Sequence, residues 1–204
     1  MKPLLLDLYC CAGGAGAGYA RAGFDVVGVD IEPQPNYPFE FHQGDALAFL
    51  RDNHARFDAI HASPPCQGHS SARHAWGREY ATTGLLDDTL IAVEATGKPY
   101  IVENVEGASM PSAGTLCGTS FGLGLHRHRR FETSFFWLAP PCDPSRVRYR
   151  GRDAEVFGHH GNSVRVRREW GVPWMTQYEI AQSIPPAFTE YLGAQLLDHL
   201  RAAA

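Results

Sequence analysis

The sequence predicts an α/β fold in which helices cover both faces of a mostly parallel sheet. Three observations carry that expectation. Apolar runs at residues 4–9, 26–30, 57–62 and 100–105 are separated by turn signals and segments of helical spacing. A glycine-dense turn, Ala12 to Gly18, follows the first run, and the second run ends on an acid, Asp30. The 204 residues suffice for one domain with a full core.

Leu4-Leu5-Leu6-Asp7-Leu8-Tyr9 reads as a buried first strand. Ala12-Gly13-Gly14-Ala15-Gly16-Ala17-Gly18 reads as a tight turn feeding a short helix from Tyr19 to Ala22, with Gly23 as its cap. Val26 to Asp30 is the second strand. This layout suits a nucleoside: glycines let backbone approach the ligand, and a carboxylate can accept from ribose hydroxyls. It is not the dinucleotide fingerprint, because counting from Gly16 the third glycine of G-x-G-x-x-G falls on Arg21. Within Phe39 to Leu50, Gly44-Asp45-Ala46-Leu47 reads as a loop opening a short helix, with Asp45 either capping it or contacting a base.

Phe57 to Ala62 is a strand that runs into Ser63-Pro64-Pro65-Cys66-Gln67-Gly68-His69-Ser70. Two prolines donate no backbone N–H, so the strand stops and the chain turns out of the sheet. Cys66 is thereby expected at the carboxyl edge, where open α/β folds place their chemistry. A lone cysteine is ordinarily a buried structural thiol. The Pro-Pro brace and the polar sequel favour a nucleophile here.

Residues 67–84 are polar, carry Gly68, Gly77 and Gly84, and include His69, Arg73, His74, Trp76, Arg78 and Tyr80, as a functional lid would. Leu85 to Thr96 has helical spacing, and Tyr100 to Val105 is a further buried strand. Glu103 lies inside that apolar run, where an unpaired charge is costly, so it needs a partner or a task. In the segment 121–136, the alternation Arg127-x-Arg129 on extended chain puts both guanidinia on one face, with His128 and Arg130 on the other. Residues 140–172 read as loop, and Phe188, Leu192, Leu196 and Leu200 form the core stripe of a last helix from about Pro186 to Leu200.

The formal net charge is −4, yet ten of the eighteen Lys and Arg residues fall between Arg127 and Arg168. Such a patch suits a phosphate backbone, or a solvated face paired with Glu132, Asp143, Asp153 and Glu155. Cysteines 10, 11, 66, 117 and 142 are odd in number without disulfide-like spacing, which points to a reducing, cytoplasmic compartment. The N-terminal apolar run meets Asp7 too soon for a signal peptide, and no run approaches a membrane span. Cys142, His159 and His160 match no paired zinc spacing, so no metal is expected.

Taken together, these motifs resemble the DNA (cytosine-5) methyltransferase family, in order along the chain. Asp7-Leu8-Tyr9…Gly13-Gly14 resembles the first cofactor motif, Asp30 the ribose-binding acid and Asp45 the acid facing adenine. Pro65-Cys66-Gln67 resembles the nucleophile motif, Glu103-Asn104-Val105 the second catalytic motif, Arg127-x-Arg129 the paired arginines, and residues 180–186 the final cofactor motif. The resemblance implies a Rossmann-like S-adenosylmethionine-dependent fold acting on cytosine carbon 5 in DNA, by a covalent Cys66 adduct with a flipped-out base. It implies catalytic roles for Cys66, Glu103, Arg127 and Arg129. It implies S-adenosylmethionine contacts from Leu8, Tyr9, Ala12, Gly13, Gly14, Asp30, Ile31, Asp45, Ala46, Pro64, Gln182 and Ser183. DNA contacts are expected from Gln67, Ser70, Arg73, Arg78, Arg146, Arg148, Arg165 and Arg167.

Three departures stand out. Cys11 occupies a position usually held by glycine, and Ala181-Gln182 replaces the usual Gly-Asn. The family's large target-recognition domain shrinks to residues 137–174, between a core at 1–136 and a closing segment at 175–204. A segment this small and dense in arginine suits backbone contact better than long-site readout, so short or relaxed sequence preference is expected. The protein is expected to be a monomer in the cytoplasm of a bacterium or phage-infected host, with restriction partner, phage self-protection and epigenetic marking all open as roles. Three alternatives remain open. One is an RNA (tRNA) cytosine methyltransferase, whose usual Cys-Phe-Thr signature does not occur here. The others are a free-nucleotide enzyme and a catalytically idle nucleic-acid-binding homologue.

Overall fold

The computed structural model describes residues 2–65, 84–147 and 163–203, and the following statements concern those residues. Seven strands form one sheet in the order β3-β2-β1-β4-β5-β7-β6. They are β1 (Leu4–Leu8), β2 (Asp25–Asp30), β3 (Glu40–Gln43), β4 (Ala59–Ala62), β5 (Tyr100–Asn104), β6 (Gly114–Cys117) and β7 (His128–Thr133). The first five are parallel, while β7 runs antiparallel to both β5 and β6. The helices are α1 (Gly14–Ala22), α2 (Ala46–Asn53), α3 (Leu85–Ala95), α4 (Ser163–Trp170), α5 (Gln177–Gln182) and α6 (Pro186–Ala203). The expected α/β class and mostly parallel sheet are observed. No helix among these is long and apolar enough to cross a membrane.

Strand alternation sorts the apolar side chains into two cores. Leu6, Leu8, Val27, Val29, Ile60, Ala62 and Val102 face α2 and α3. Leu5, Val26, Ala59, Ile101 and Phe131 face α1 and α6, where Tyr19, Phe188, Leu192 and Leu196 are fully buried. Alternation also fixes the polar positions: Asp7, His61 and Glu103 share the odd-numbered face with Leu5, Ala59 and Ile101.

Three elements differ from the sequence expectation. Helix α1 starts at Gly14 instead of Tyr19, so the glycines lie inside the helix. Helix propensity argues against that, but packing decides it: a Cβ at Gly18 would lie 2.0 Å from Thr189 Oγ1 and 2.2 Å from the Pro186 carbonyl oxygen. The small side chains thus let α6 lie directly on α1. The segment from Phe39 holds an edge strand, β3, whose Glu40 and Gln43 are exposed, as a charged edge should be. Residues 163–170, expected as loop, form α4, which sinks Val166 and Trp170, one turn apart, into the core.

Candidate active site

The carboxyl edges of the parallel strands β1, β2, β4 and β5 bring Leu8, Asp30, Pro64 and Glu103 to one side of the sheet. After β1 the chain bends sharply, with Tyr9 at φ 58°, Cys11 at φ 45° and Gly13 at φ 83°. Two non-glycine residues in left-handed backbone cost about 1–2 kcal/mol each. That gives the Cys11 departure a physical meaning: glycine would sit there without strain. The Cys11 amide donates to Asp30 Oδ2 at 2.9 Å, which offsets part of the cost.

Asp30, buried at the end of β2, also accepts the Glu32 amide through Oδ1 at 3.0 Å. Beside it Ile31 is 65% exposed, an apolar face next to an acid. Asp45 caps α2 through one carboxylate oxygen, Oδ1, which accepts from the Ala48 amide at 2.7 Å. Leu8 and Ala46 are core side chains and can offer a ligand only their backbone. Ala12 is also buried, and its carbonyl accepts from Trp174 Nε1 at 2.9 Å, which clamps the loop. Tyr9 pairs its hydroxyl with Thr89 at 3.0 Å. A strained loop, a carboxylate with both oxygens at a strand end and an exposed aliphatic face together fit a nucleoside such as that of S-adenosylmethionine.

Gln182 is exposed at the end of α5. Ser183 is buried, donates to the Ile184 carbonyl at 2.9 Å, and lies where a Cβ on Gly14 would fall, 1.9 Å from its hydroxyl. It therefore seats the closing segment on the start of α1. Arg127 serves the same closure, since its Nη2 donates to the carbonyls of Ala181 at 3.2 Å and Ser183 at 2.6 Å. Its guanidinium also lies 5.8 Å from the Trp170 ring centre.

Glu103 is 6% exposed on β5, and Arg129 Nε lies 2.8 Å from its Oε1. The Nε–H bond is not directed at that oxygen, so Oε1 has a counter-charge but no hydrogen bond among the described residues. Burial pushes the Glu103 carboxyl above its ordinary range, against the pull of Arg129, Arg127 and a hydrogen bond from Ser63. Ser63 is the half-buried end of a hydrogen-bonded chain. Tyr19 meets His61 Nδ1 at 2.9 Å, and His61 Nε2 meets the Ser63 hydroxyl at 2.8 Å. Burial pushes the His61 imidazole down to about 3, so the ring is neutral at physiological pH. Tyr19 has no other acceptor among the described residues, so the arrangement that satisfies every group has Tyr19 donating to Nδ1 and Nε2–H donating to Ser63.

Pro64 is buried at the end of β4, and its carbonyl accepts from Asn104 Nδ2 at 3.1 Å. Cys66, the expected nucleophile, lies outside the described residues, as do Gln67, Ser70, Arg73, Arg78 and Arg148. Among the other expected DNA contacts, Arg146 pairs with Asp143 at 3.0 Å and Arg165 with Glu169 at 2.8 Å, while Arg167 lies half-buried on α4. An exposed pair such as Arg146–Asp143 contributes little to stability. Sequence reasoning missed His61, Ser63, Tyr19 and the Asn104 latch. His61 offered the same signal as Glu103, an ionisable residue inside an apolar run.

Comparison with known proteins agrees with this arrangement. Residues 4–118 match the family described as C-5 cytosine-specific DNA methylase, more than half of the chain. The Type II methyltransferase M1.HphI of Haemophilus parahaemolyticus is 33% identical over 123 residues, covering 52% of this chain and 33% of that protein. The chain thus spans about a third of the length of the curated relative it matches. The S. pombe Dnmt2 methyltransferase structure aligns over 98% of this chain and 99% of that one, with a TM-score of 0.60 and 14% identity. The Entamoeba histolytica methyltransferase EhMeth aligns over 100% and 99%, with a TM-score of 0.59 and 11% identity. At such identity the two structures establish the fold. With the family match spanning the Pro-Pro-Cys and Glu-Asn-Val motifs, the chain belongs to the C-5 cytosine-specific DNA methylase family.

Proposed function

We propose that the protein transfers a methyl group from S-adenosylmethionine to carbon 5 of cytosine in DNA, through a covalent Cys66 adduct with a flipped-out base. The observation that carries this reading is Glu103 Oε1, a buried carboxylate oxygen beside Arg129 that lacks a hydrogen bond among the described residues. An oxygen in that state is suited to a ligand's N–H, and cytosine offers one from its exocyclic amino group, while its ring nitrogen 3 accepts a proton from the protonated carboxyl.

Asp30, Ile31, Asp45 and the backbone of residues 8–14 would hold the cofactor, which when bound supplies an electrophilic methyl group on a sulfonium. Carbon 5 of cytosine is too poor a nucleophile to take it unaided. Addition of the Cys66 thiolate at carbon 6 drives electron density to carbon 5, while Glu103 delivers a proton toward nitrogen 3. A carboxyl raised by burial suits that task, and the donor chain through Ser63 keeps it oriented. Arg129 would contact the base carbonyl. Once carbon 5 carries the methyl group, a base takes its proton, the Cys66 thiolate departs from carbon 6 and nitrogen 3 returns its proton to Glu103, restoring the ring. The base must leave the duplex for this chemistry, at a cost of a few kcal/mol.

Residues 137–174 would form the reduced recognition segment, contacting phosphates through Arg146, Arg148, Arg165 and Arg167, with Gln67, Ser70, Arg73 and Arg78 contributing from the loop after Cys66. So little recognition surface supports a short or relaxed site. Bisulfite sequencing of plasmid treated with the protein and S-adenosylmethionine tests this directly. Methylated cytosines in many contexts are expected; methylation confined to one site of four or more fixed bases would contradict it.

A further inference from the structure

The β6–β7 hairpin carries a cluster that methyl transfer does not use. Cys117 and His128 are register partners across the two antiparallel strands. Cys142, on the chain beyond β7, closes on both: its Sγ lies 3.2 Å from Cys117 Sγ and 3.6 Å from His128 Nε2. The three ligand atoms all lie within 4.8 Å of one another. Both thiols are free, and their sulfurs are well beyond the ~2.05 Å of a disulfide.

We propose that Cys117, His128 and Cys142 bind one thiophilic divalent cation, with zinc the natural occupant and water completing the tetrahedron. With Zn–S at ~2.3 Å and Zn–N at ~2.05 Å, tetrahedral sulfur–nitrogen and sulfur–sulfur edges are about 3.6 Å and about 3.8 Å. The separation of Cys142 Sγ from His128 Nε2 already matches, and a small movement of the exposed Cys142 opens the sulfur pair.

The surroundings are those of a supported site. His128 Nδ1 faces Glu106 Oε1 at 3.3 Å, which fixes the tautomer and leaves Nε2 turned toward Cys142. A carboxylate behind the ligating imidazole is the usual second layer of such sites. Thr119, fully buried, lies 3.1 Å from Cys117 Sγ and 3.7 Å from Cys142 Sγ, and its hydroxyl oxygen accepts the Asp143 amide at 3.1 Å. With that lone pair engaged, the hydroxyl hydrogen is free to stabilise a thiolate. Sequence spacing hid the set, since Cys117 and His128 meet only through strand register. Binding releases the two thiol protons and pins the start of the arginine-rich segment to β7, the strand that bears Arg129.

The test uses the full chain, reduced and freed of metal, then titrated with Co²⁺. An equimolar uptake is expected, with a thiolate-to-cobalt charge-transfer band and tetrahedral d–d bands that Zn²⁺ abolishes. Both signals should vanish in Cys142→Ser, an exposed position, and Co²⁺ affinity should fall ~10–100-fold in Glu106→Gln. Absence of uptake by the reduced protein overturns the proposal, as does uptake unchanged in Cys142→Ser. So does a protein that takes up no metal yet loses two hydrogens in air, which would make the cysteines a redox pair.

Discussion

Asn104 Nδ2 donates to the Pro64 carbonyl across 3.1 Å, and the Asn104 Oδ1 accepts the Val105 amide at 2.9 Å. One side chain thus ties the end of β5, next to Glu103, to the end of β4, two residues before Cys66. The Pro-Pro-Cys and Glu-Asn-Val motifs are joined by this contact, although they lie almost forty positions apart in sequence.

Asn104→Ala should leave that buried carbonyl without a partner, a loss of about 1–3 kcal/mol. The expected result is a lower urea midpoint together with a methyl-transfer rate that falls at least about tenfold. Affinity for S-adenosylmethionine, measured by calorimetry, should change less than the rate, since Pro64 is the one expected cofactor contact that Asn104 touches. An unchanged transfer rate would remove the latch from the account.

Glu103→Gln keeps the shape of the side chain and removes its proton chemistry. The transfer rate should drop by about 10²–10⁴, the range for a positioned acid–base group, with little change in cofactor affinity. Single-turnover kinetics separate the two effects. A near-normal rate would take Glu103 out of the mechanism.

Gly18→Ala tests the seam between α1 and α6. The new Cβ would meet Thr189 Oγ1 at 2.0 Å, the Pro186 carbonyl at 2.2 Å and the Glu190 amide nitrogen at 2.6 Å. Two of these are backbone atoms, so the helices must separate, at about 1–3 kcal/mol despite alanine's better helix propensity. Gly44→Ala, with no atom within 4 Å, is the control and should be nearly neutral. Urea unfolding followed by circular dichroism distinguishes them.

Asp7 and His61 are register partners that titrate in opposite senses. Burial pushes the Asp7 carboxyl up from 3.8 to about 7, so its contribution to stability is full below 3.8 and is lost as pH rises toward 7. Burial pushes His61 down from 6.5 to about 3, so its contribution is full above 6.5 and is lost as pH falls toward 3. Between those limits the two slopes, each up to about 1.4 kcal/mol per pH unit, oppose one another. Asp7→Asn should remove one and unmask the other. Its unfolding free energy should therefore fall more steeply than that of the unaltered protein as pH drops from 6.5 to 4. Parallel profiles for the two proteins would contradict the assignment.

Much of this fold was legible because β1, β2, β4 and β5 are buried on both faces and read as apolar runs. β3 and β6 were not, because each has only four residues and carries polar ones. α4 was hidden by its alternating Val-Arg-Val-Arg, a pattern closer to strand than to helix, and its two buried anchors become visible only on the helix. In the site, Glu103 announced itself as a carboxylate among aliphatic residues. The Glu103–Arg129 pair, the Asn104 latch and the Cys117–His128 pairing could not, since each depends on how neighbouring strands are registered. Propensity also misled at Gly14 to Gly18, where close approach of α6 outweighs the conformational cost of glycine in a helix.

The central claim is that Cys66 forms a covalent bond to cytosine in DNA during methyl transfer. The most direct measurement incubates the full chain and S-adenosylmethionine with duplex DNA containing 5-fluorocytosine, whose fluorine cannot leave as the carbon-5 proton does. The account predicts a protein–DNA complex that survives denaturing electrophoresis, requires S-adenosylmethionine and is lost in Cys66→Ser. DNA binding without any such complex, or a complex formed with RNA alone, would contradict it.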